Sequence, residues 1–166
     1  IVDDPIFDAF YASTVPSLHS VLETSQKNKA AGSMLIDKIG PVILLTHSQA
    51  GPYGWILGDA NPSKVKAIVA PEPSGLPFQN AVTLGIDMTR AWGPASLPIV
   101  YSPPTLTADS VSRKIVEQNL SLNYTCWQQV DPARKLANLA KIPVLMATSE
   151  SGEHTVYDGC TASYLV

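Results

Sequence analysis

A chain of 166 residues is the length of one ordinary domain, and 45% hydrophobic with 15% charged residues is the composition of a chain that buries a core. A formal charge of -3, a sequence pI near 5.5 and scattered Lys and Arg leave no basic footprint for nucleic acid. The longest apolar runs fall far short of the roughly 20 residues that a membrane span requires.

The chain opens on Ile1 without a signal-peptide pattern, so its start is expected to be processed, trimmed or incomplete. Residues 1 to 16 read as irregular, interrupted by Pro5 and Pro16. From Ser17, a plausible N-cap, to Lys38 the apolar Leu18, Val21, Leu22, Ala31, Met34 and Leu35 recur at helical steps and predict one packed face. Gly40-Pro41 closes that helix. Val42 to Leu45 is apolar without alternation, as expected of a strand covered on both faces. A short buried helix is predicted over Gln49 to Ala60, and a second strand over Val65 to Ala70, ending in Pro71-Glu72-Pro73. Residues 73 to 108 are rich in Pro and Gly and read as a long excursion, either a cap over an apolar pocket through Phe78, Met88, Trp92, Pro94 and Pro98 or a segment packed on the domain edge. Helices are expected at Asp109 to Asn119 and Pro132 to Ala140, a strand at Ile142 to Ala147, and a last helix from Thr155 to Val166. This order gives one α/β domain over residues 1 to 166, with a mostly parallel sheet flanked by helices. Three strands make a thin sheet, so the domain reads as partial.

Chemistry in such a sheet collects past the carboxyl ends of the strands. There stands Thr46-His47-Ser48-Gln49-Ala50-Gly51. A strand that turns straight into a helix strains the residue at the turn and needs small neighbours two positions to either side, the logic of the Gly-x-Ser-x-Gly nucleophile elbow. Ala50 meets that need and Thr46 is a bulkier departure. The first-turn N–H groups of the following helix would face an oxyanion formed at a carbonyl attacked by Ser48. Serine as a mere helix N-cap is the bland alternative, and it leaves the small neighbours unexplained.

The stretch PVILLTHSQAGPYGWILGDANPSKVKAIVAPEPSG resembles the α/β-hydrolase fold family, in the fungal and bacterial branch similar to Alcaligenes-type secreted esterases. KIPVLMATSE, residues 141 to 150, is similar to a later strand of the same sheet. The resemblance implies that Ser48 is the nucleophile, that Gln49 donates its backbone N–H to the oxyanion, and that Glu72, 24 residues further on, is the triad acid. Glu150 or Glu153 is the alternative acid, one strand later. It also maps the chain onto the middle of such a hydrolase, with both ends cut away.

Serine needs a general base, ordinarily a histidine that follows the acid in this fold. His19 lies upstream on the first helix, and His47 adjoins the serine and is expected to line the pocket. His154 alone follows Glu72; it is a candidate base for a shortened site, while the family's own histidine would fall beyond Val166. The base is therefore expected on a further segment or a second chain that completes the fold.

Asn119-Leu120-Ser121 and Asn123-Tyr124-Thr125 are two N-glycosylation triplets on an expected surface loop. Cys126 and Cys160 form an even pair without metal-ligand spacing, which an oxidising compartment would allow to join as a disulfide; two buried thiols are the alternative. Together these point to secretion. No phosphate loop or metal-ligand cluster calls for a cofactor or metal. Two functions follow: a serine hydrolase of small-molecule carboxylic esters working through a Ser-Glu-His triad and an acyl-enzyme, or a non-catalytic hydrolase-like fragment or pseudoenzyme that binds a ligand or partner.

Overall fold

The computed structural model describes residues 4–16, 18, 20–79 and 90–166. In chain order they form α1 (Pro5–Ser13), α2 (Val21–Ile39), β1 (Val42–Leu45), α3 (Gly51–Ala60), β2 (Val65–Pro71), β3 (Tyr101–Ser102), β4 (Arg113–Asn119), β5 (Tyr124–Gln129), β6 (Lys135–Leu136), β7 (Val144–Ala147) and α4 (Asp158–Leu165). Strands β1, β2 and β7 make a three-stranded parallel sheet in that order, with Leu44 opposite Ile68 and Ile68 opposite Val144. The α/β class and the three predicted strands are thus present, and β2 runs one residue further than expected, to Pro71.

Along a strand, side chains alternate between faces. Thr46 and Ile68 point to the face that α3 covers. Gly54 and Gly58 make the close approach possible. A Cβ on Gly54 would lie 2.9 Å from Thr46 Oγ1, and one on Gly58 would lie 2.9 Å from Ile68 Cδ1. The core on this side gathers Trp55, Ile56, Ile68, Phe78, Leu97, Ile99, Leu139 and Ile142, all buried. Each such side chain contributes about 1.5–3 kcal/mol of transfer free energy when fully buried. The opposite face is bare: Ile43 is 66%, Leu45 72% and Leu145 60% exposed. Continuous apolar strands led the sequence to predict cover on both faces, and the described residues supply it on one.

Helix α2 departs from its predicted packing. Its N-cap is Ser20, whose Oγ accepts the Glu23 N–H; Ser17 and His19 lie outside the described residues. Val21, Leu22, Met34 and Leu35 are exposed, whereas Ser25 and Ile36 are buried. Close packing won over hydrophobicity here. Gly32 lies so near α3 that a Cβ would meet Leu57 Cδ2 at 2.7 Å, and Ser25 joins Ser96 through their hydroxyls at 2.7 Å.

Other expectations are corrected by capping and pairing. The stretch 1 to 16 contains α1, because Asp4 accepts the N–H groups of Ile6 and Phe7 and Pro5 occupies the first turn, where no N–H is needed. The helix predicted over Asp109 to Asn119 is instead a 3-10 turn, Ala108–Ser110, followed by β4, which pairs antiparallel with the unforeseen β5. A left-handed Asn123 closes the connecting turn. The helix expected at Pro132 to Ala140 is the short β6, paired with β3, and a 3-10 turn at Leu139–Lys141. The last helix starts at Asp158 after a 3-10 turn, Glu153–Val156. The described parts of 73 to 108 are largely core, with Leu76, Phe78, Ala95, Leu97 and Ile99 buried; Met88 lies outside the described residues.

Cys126 of β5 and Cys160 of α4 are joined as a disulfide across 34 positions of sequence. The bridge sits in a small cluster with Leu76, Tyr124 and Tyr157. On a chain-entropy account a loop of this length restrains the unfolded chain by about 3–4 kcal/mol. The paired substitutions Cys126→Ala and Cys160→Ala in the full-length protein are therefore expected to lower unfolding free energy by about 3–4 kcal/mol in urea titrations. An unchanged midpoint would show that the bridge restrains nothing.

Candidate active site

The site is built where β1 and β2 end side by side. Ser48 has φ 51° and Glu72 φ 44°, both in the left-handed region that non-glycine residues rarely occupy. Such a conformation costs on the order of 1–3 kcal/mol per residue and persists only when its surroundings hold it. Here they do. The Ser48 carbonyl accepts the Gly51 N–H at 2.8 Å and the Ser74 N–H at 2.8 Å, while the Ser48 N–H donates to Pro71 at 3.4 Å. Ser48 and Pro73 form a parallel bridge that extends the β1–β2 pairing past the strand ends. The Glu72 N–H donates to Ala147 at 2.7 Å, tying the acid to β7.

Room for the turn comes from glycine on the helix rather than on the strand. Thr46 is accommodated because Gly54 faces it without a side chain, and a Cβ on Gly51 would lie 2.5 Å from Pro73 Cβ. Thr46 Oγ1 is buried without a partner. Ser48 is half-buried and Gln49 exposed. Among the described residues, no hydrogen bond engages the Gln49 backbone N–H, which lies two positions before α3.

The Glu72 carboxylate is held by a loop past the end of β7. Oε1 accepts both the Ser149 hydroxyl and the Ser149 N–H, the latter at 3.2 Å. Gly152 lets the loop pass closely, since a Cβ there would lie 2.8 Å from Glu72 Oε1. The second oxygen, Oε2, lies 3.9 Å from His47 Nε2. These contacts hold the Glu72 carboxyl below the ordinary carboxylate range: the Ser149 hydroxyl contributes most, then the Ser149 N–H, with smaller contributions from His154 and His47.

The remaining candidates are placed differently. Glu150 and Glu153 are exposed, and among the described residues neither has a hydrogen-bonding or ionic partner. His154 is buried: Nδ1 meets the Tyr157 hydroxyl at 3.0 Å and stands 3.7 Å from Asp158 Oδ1. Asp158 also accepts the Thr148 hydroxyl, and burial pushes its carboxyl above the ordinary value. Among the described residues, no hydrogen bond joins Ser48 Oγ to His47 or His154. Asn119 and Asn123 stand at the exposed β4–β5 turn, where Asn119 Oδ1 accepts the Ser121 hydroxyl at 2.6 Å. Sequence reasoning missed Ser149, Tyr157 and Asp158. Ser149 alone carried a signal, as a polar residue directly beyond a predicted strand.

The sequence is 41% identical over 165 residues to Probable secreted lipase phiG from Fungal sp. (strain ATCC 74256). The match covers 99% of this chain and 45% of that protein, so the chain spans about half the length of the curated relative it matches. No family model matches the sequence, and no solved structure matches it. Among the described residues no helix is long and apolar enough to cross a membrane, and no cluster of three or more His, Cys, Asp or Glu side chains is placed to hold a metal ion.

A carboxyl with a lowered pKa favours folding above its unfolded pKa, and that contribution is lost as pH falls through the folded value. Ser149→Ala removes the larger of the two bonds on Oε1. The Glu72 titration, followed by carboxyl carbon NMR, is expected to move up toward the ordinary range. Loss of the folded state on acidification should then begin at higher pH. A titration midpoint that stays in place would show that Ser149 does not set the acid's charge.

Proposed function

We propose that this chain is the central part of a secreted serine hydrolase of carboxylic esters, of the α/β-hydrolase type and similar to Alcaligenes-type esterases. The observation that carries the reading is the pair of left-handed residues, Ser48 in a strand–turn–helix elbow and Glu72 at the end of the adjacent parallel strand. The identity to a protein named as a secreted lipase supports the ester substrate and the extracellular location. The Cys126–Cys160 bridge suits an oxidising compartment.

In this mechanism Ser48 Oγ attacks the ester carbonyl carbon as its proton passes to a histidine base. The carbonyl oxygen becomes an oxyanion and takes the Gln49 N–H, at the positive end of α3. Collapse of the tetrahedral intermediate releases the alcohol, protonated by the same base, and leaves an acyl group on Ser48. Water, deprotonated by the base, then attacks the acyl carbon and frees the carboxylic acid. Glu72, kept ionised by Ser149, orients and stabilises the protonated histidine.

The base lies in this proposal on polypeptide beyond these 166 residues. Two observations support that. His154 is engaged by Tyr157 beside Asp158, and the apolar face bearing Ile43, Leu45 and Leu145 awaits a covering layer. The second oxyanion donor would come from the same source. Ser48 Oγ, without a hydrogen-bond partner among the described residues, also fits a hydrolase-like protein that binds without catalysing, and the experiment separates the two.

In the full-length secreted protein, a fluorophosphonate is expected to label Ser48 stoichiometrically. Ser48→Ala should lower hydrolysis of a short-chain nitrophenyl ester by roughly 10⁵–10⁶-fold. Glu72→Gln should lower it by about 10²–10⁴-fold, whereas Glu150→Gln and Glu153→Gln should stay near wild type. A folded protein that neither reacts nor hydrolyses would leave the binding reading in place.

The same preparation provides a check on secretion. Peptide N-glycosidase in heavy-oxygen water is expected to convert Asn119 and Asn123 to labelled Asp, seen by peptide mass. Unmodified asparagine at both positions would remove the glycosylation argument.

A further inference from the structure

The segment that follows Glu72 is wrapped around a buried cation. Arg90 is 6% exposed, and its guanidinium donates to three backbone carbonyls of one loop. Nη2 reaches Ser74 at 2.8 Å, and Nη1 reaches Leu76 at 3.1 Å and Gln79 at 2.5 Å. Among the described residues no carboxylate pairs with it. The loop is shaped to this one side chain. Gly75 has φ 88°, and a Cβ there would fall 1.6 Å from Nη1. The Gly75 carbonyl is taken from the other side by the buried Thr161 hydroxyl at 3.0 Å. Burial lowers the guanidinium's pKa to about 10, so it remains charged at neutral pH.

The loop leads directly to the site. Ser74, whose carbonyl Arg90 holds, donates its own N–H to the Ser48 carbonyl at 2.8 Å. Pro73, between Ser74 and Glu72, bridges Ser48 and meets Gly51. One bonded path therefore runs from the guanidinium through Ser74 to the left-handed turn of Ser48, and a single intervening residue links it to Glu72.

We infer that Arg90 is a positioning residue for the Ser48–Glu72 pair, fixing through its carbonyl the Ser74 whose N–H holds the serine turn, two positions along the chain from Glu72. The inference rests on the reading of Ser48 and Glu72 as nucleophile and acid. A planar fork is required, because three carbonyls in different directions must be met at once; a lysine ammonium keeps the charge but cannot span them from one point. Arg90 touches no substrate in this account. Its influence falls on the placement of the reacting groups, where a displacement of about 1 Å costs up to roughly 10²-fold in rate.

The test uses the full-length secreted protein and two readouts, kcat against KM for a nitrophenyl ester and the rate of fluorophosphonate labelling at Ser48. Arg90→Lys is expected to lower kcat and the labelling rate together by about 10–100-fold, with KM within about two-fold of wild type. Thr161→Val, a near-isosteric change that frees the same loop from α4, is expected to lower kcat by about three- to ten-fold in the same pattern. Arg134→Lys is the control: Arg134 also donates to two carbonyls, those of Pro103 and Pro104, but on an exposed loop. It should change neither readout. A folded Arg90→Lys protein with wild-type kcat and labelling overturns the inference and leaves the hydrolase reading intact. If that variant does not fold, Thr161→Val decides in the same way. A wild-type protein that is folded yet unreactive at Ser48 overturns both.

Discussion

Two non-glycine residues in left-handed conformation, at the ends of adjacent parallel strands, are the constraint around which the rest is arranged. Neither conformation is favourable alone, with a cost on the order of 1–3 kcal/mol each. What offsets it is shared. The parallel pairing of β1 and β2 runs on through Ser48 and Pro73, so the two turns stabilise each other's backbone. The glycines of α3 let the helix seat directly on the strand it follows. The packing of Gly54 on Thr46 and of Gly51 on Pro73 is thus part of the site, since a larger residue at either would lever the helix away from the serine turn.

The same arrangement explains the electrostatics. A carboxylate just past the end of a strand would ordinarily be an exposed, freely titrating group. Glu72 is instead met by the loop beyond β7, and the charge-assisted bonds from Ser149 lower its pKa. Asp158, on the far side of that loop, shifts the opposite way because burial outweighs the Thr148 bond. Two carboxyl groups near one strand end are thereby driven apart in pKa, Glu72 downward and Asp158 upward.

How much of this could be read from the sequence depended on the kind of information involved. The three parallel strands, and the strand-to-helix junction on which Ser48 stands, were legible because they are local: a continuous apolar run, a small residue two positions past Ser48, and a serine at the junction. The hairpin β4–β5 was not. Asp109 to Asn119 carries Val111, Ile115 and Val116 at spacings a helix can also use, and its choice of strand depends on a partner, Tyr124–Gln129, that local periodicity does not identify. The α2 face was misread because Gly32 and Ser25 permit close approach to α3, and a hydrophobicity pattern gives small residues no weight. Glu72 could be singled out by its neighbours in sequence, but the serine that holds its carboxylate lies 77 residues away. Only the fold reveals it.

The bare face of the sheet bears on where chemistry is completed. Parallel sheets are ordinarily covered on both sides, and continuous apolar strands are the sequence trace of that cover. Here α3 covers one side and leaves Ile43, Leu45 and Leu145 open on the other. Exposure of this size on a central sheet opposes stability at about 25 cal/mol for every Å² left in water. A layer over that face would relieve the cost, and in the proposed hydrolase it would also bring the base for Ser48 Oγ and a second oxyanion donor. On that proposal packing and catalysis ask for the same thing at neighbouring places. In that proposal the Ser48 turn, Glu72 and the Arg90-centred loop are the half of the site on which an incoming histidine would find serine and carboxylate already set.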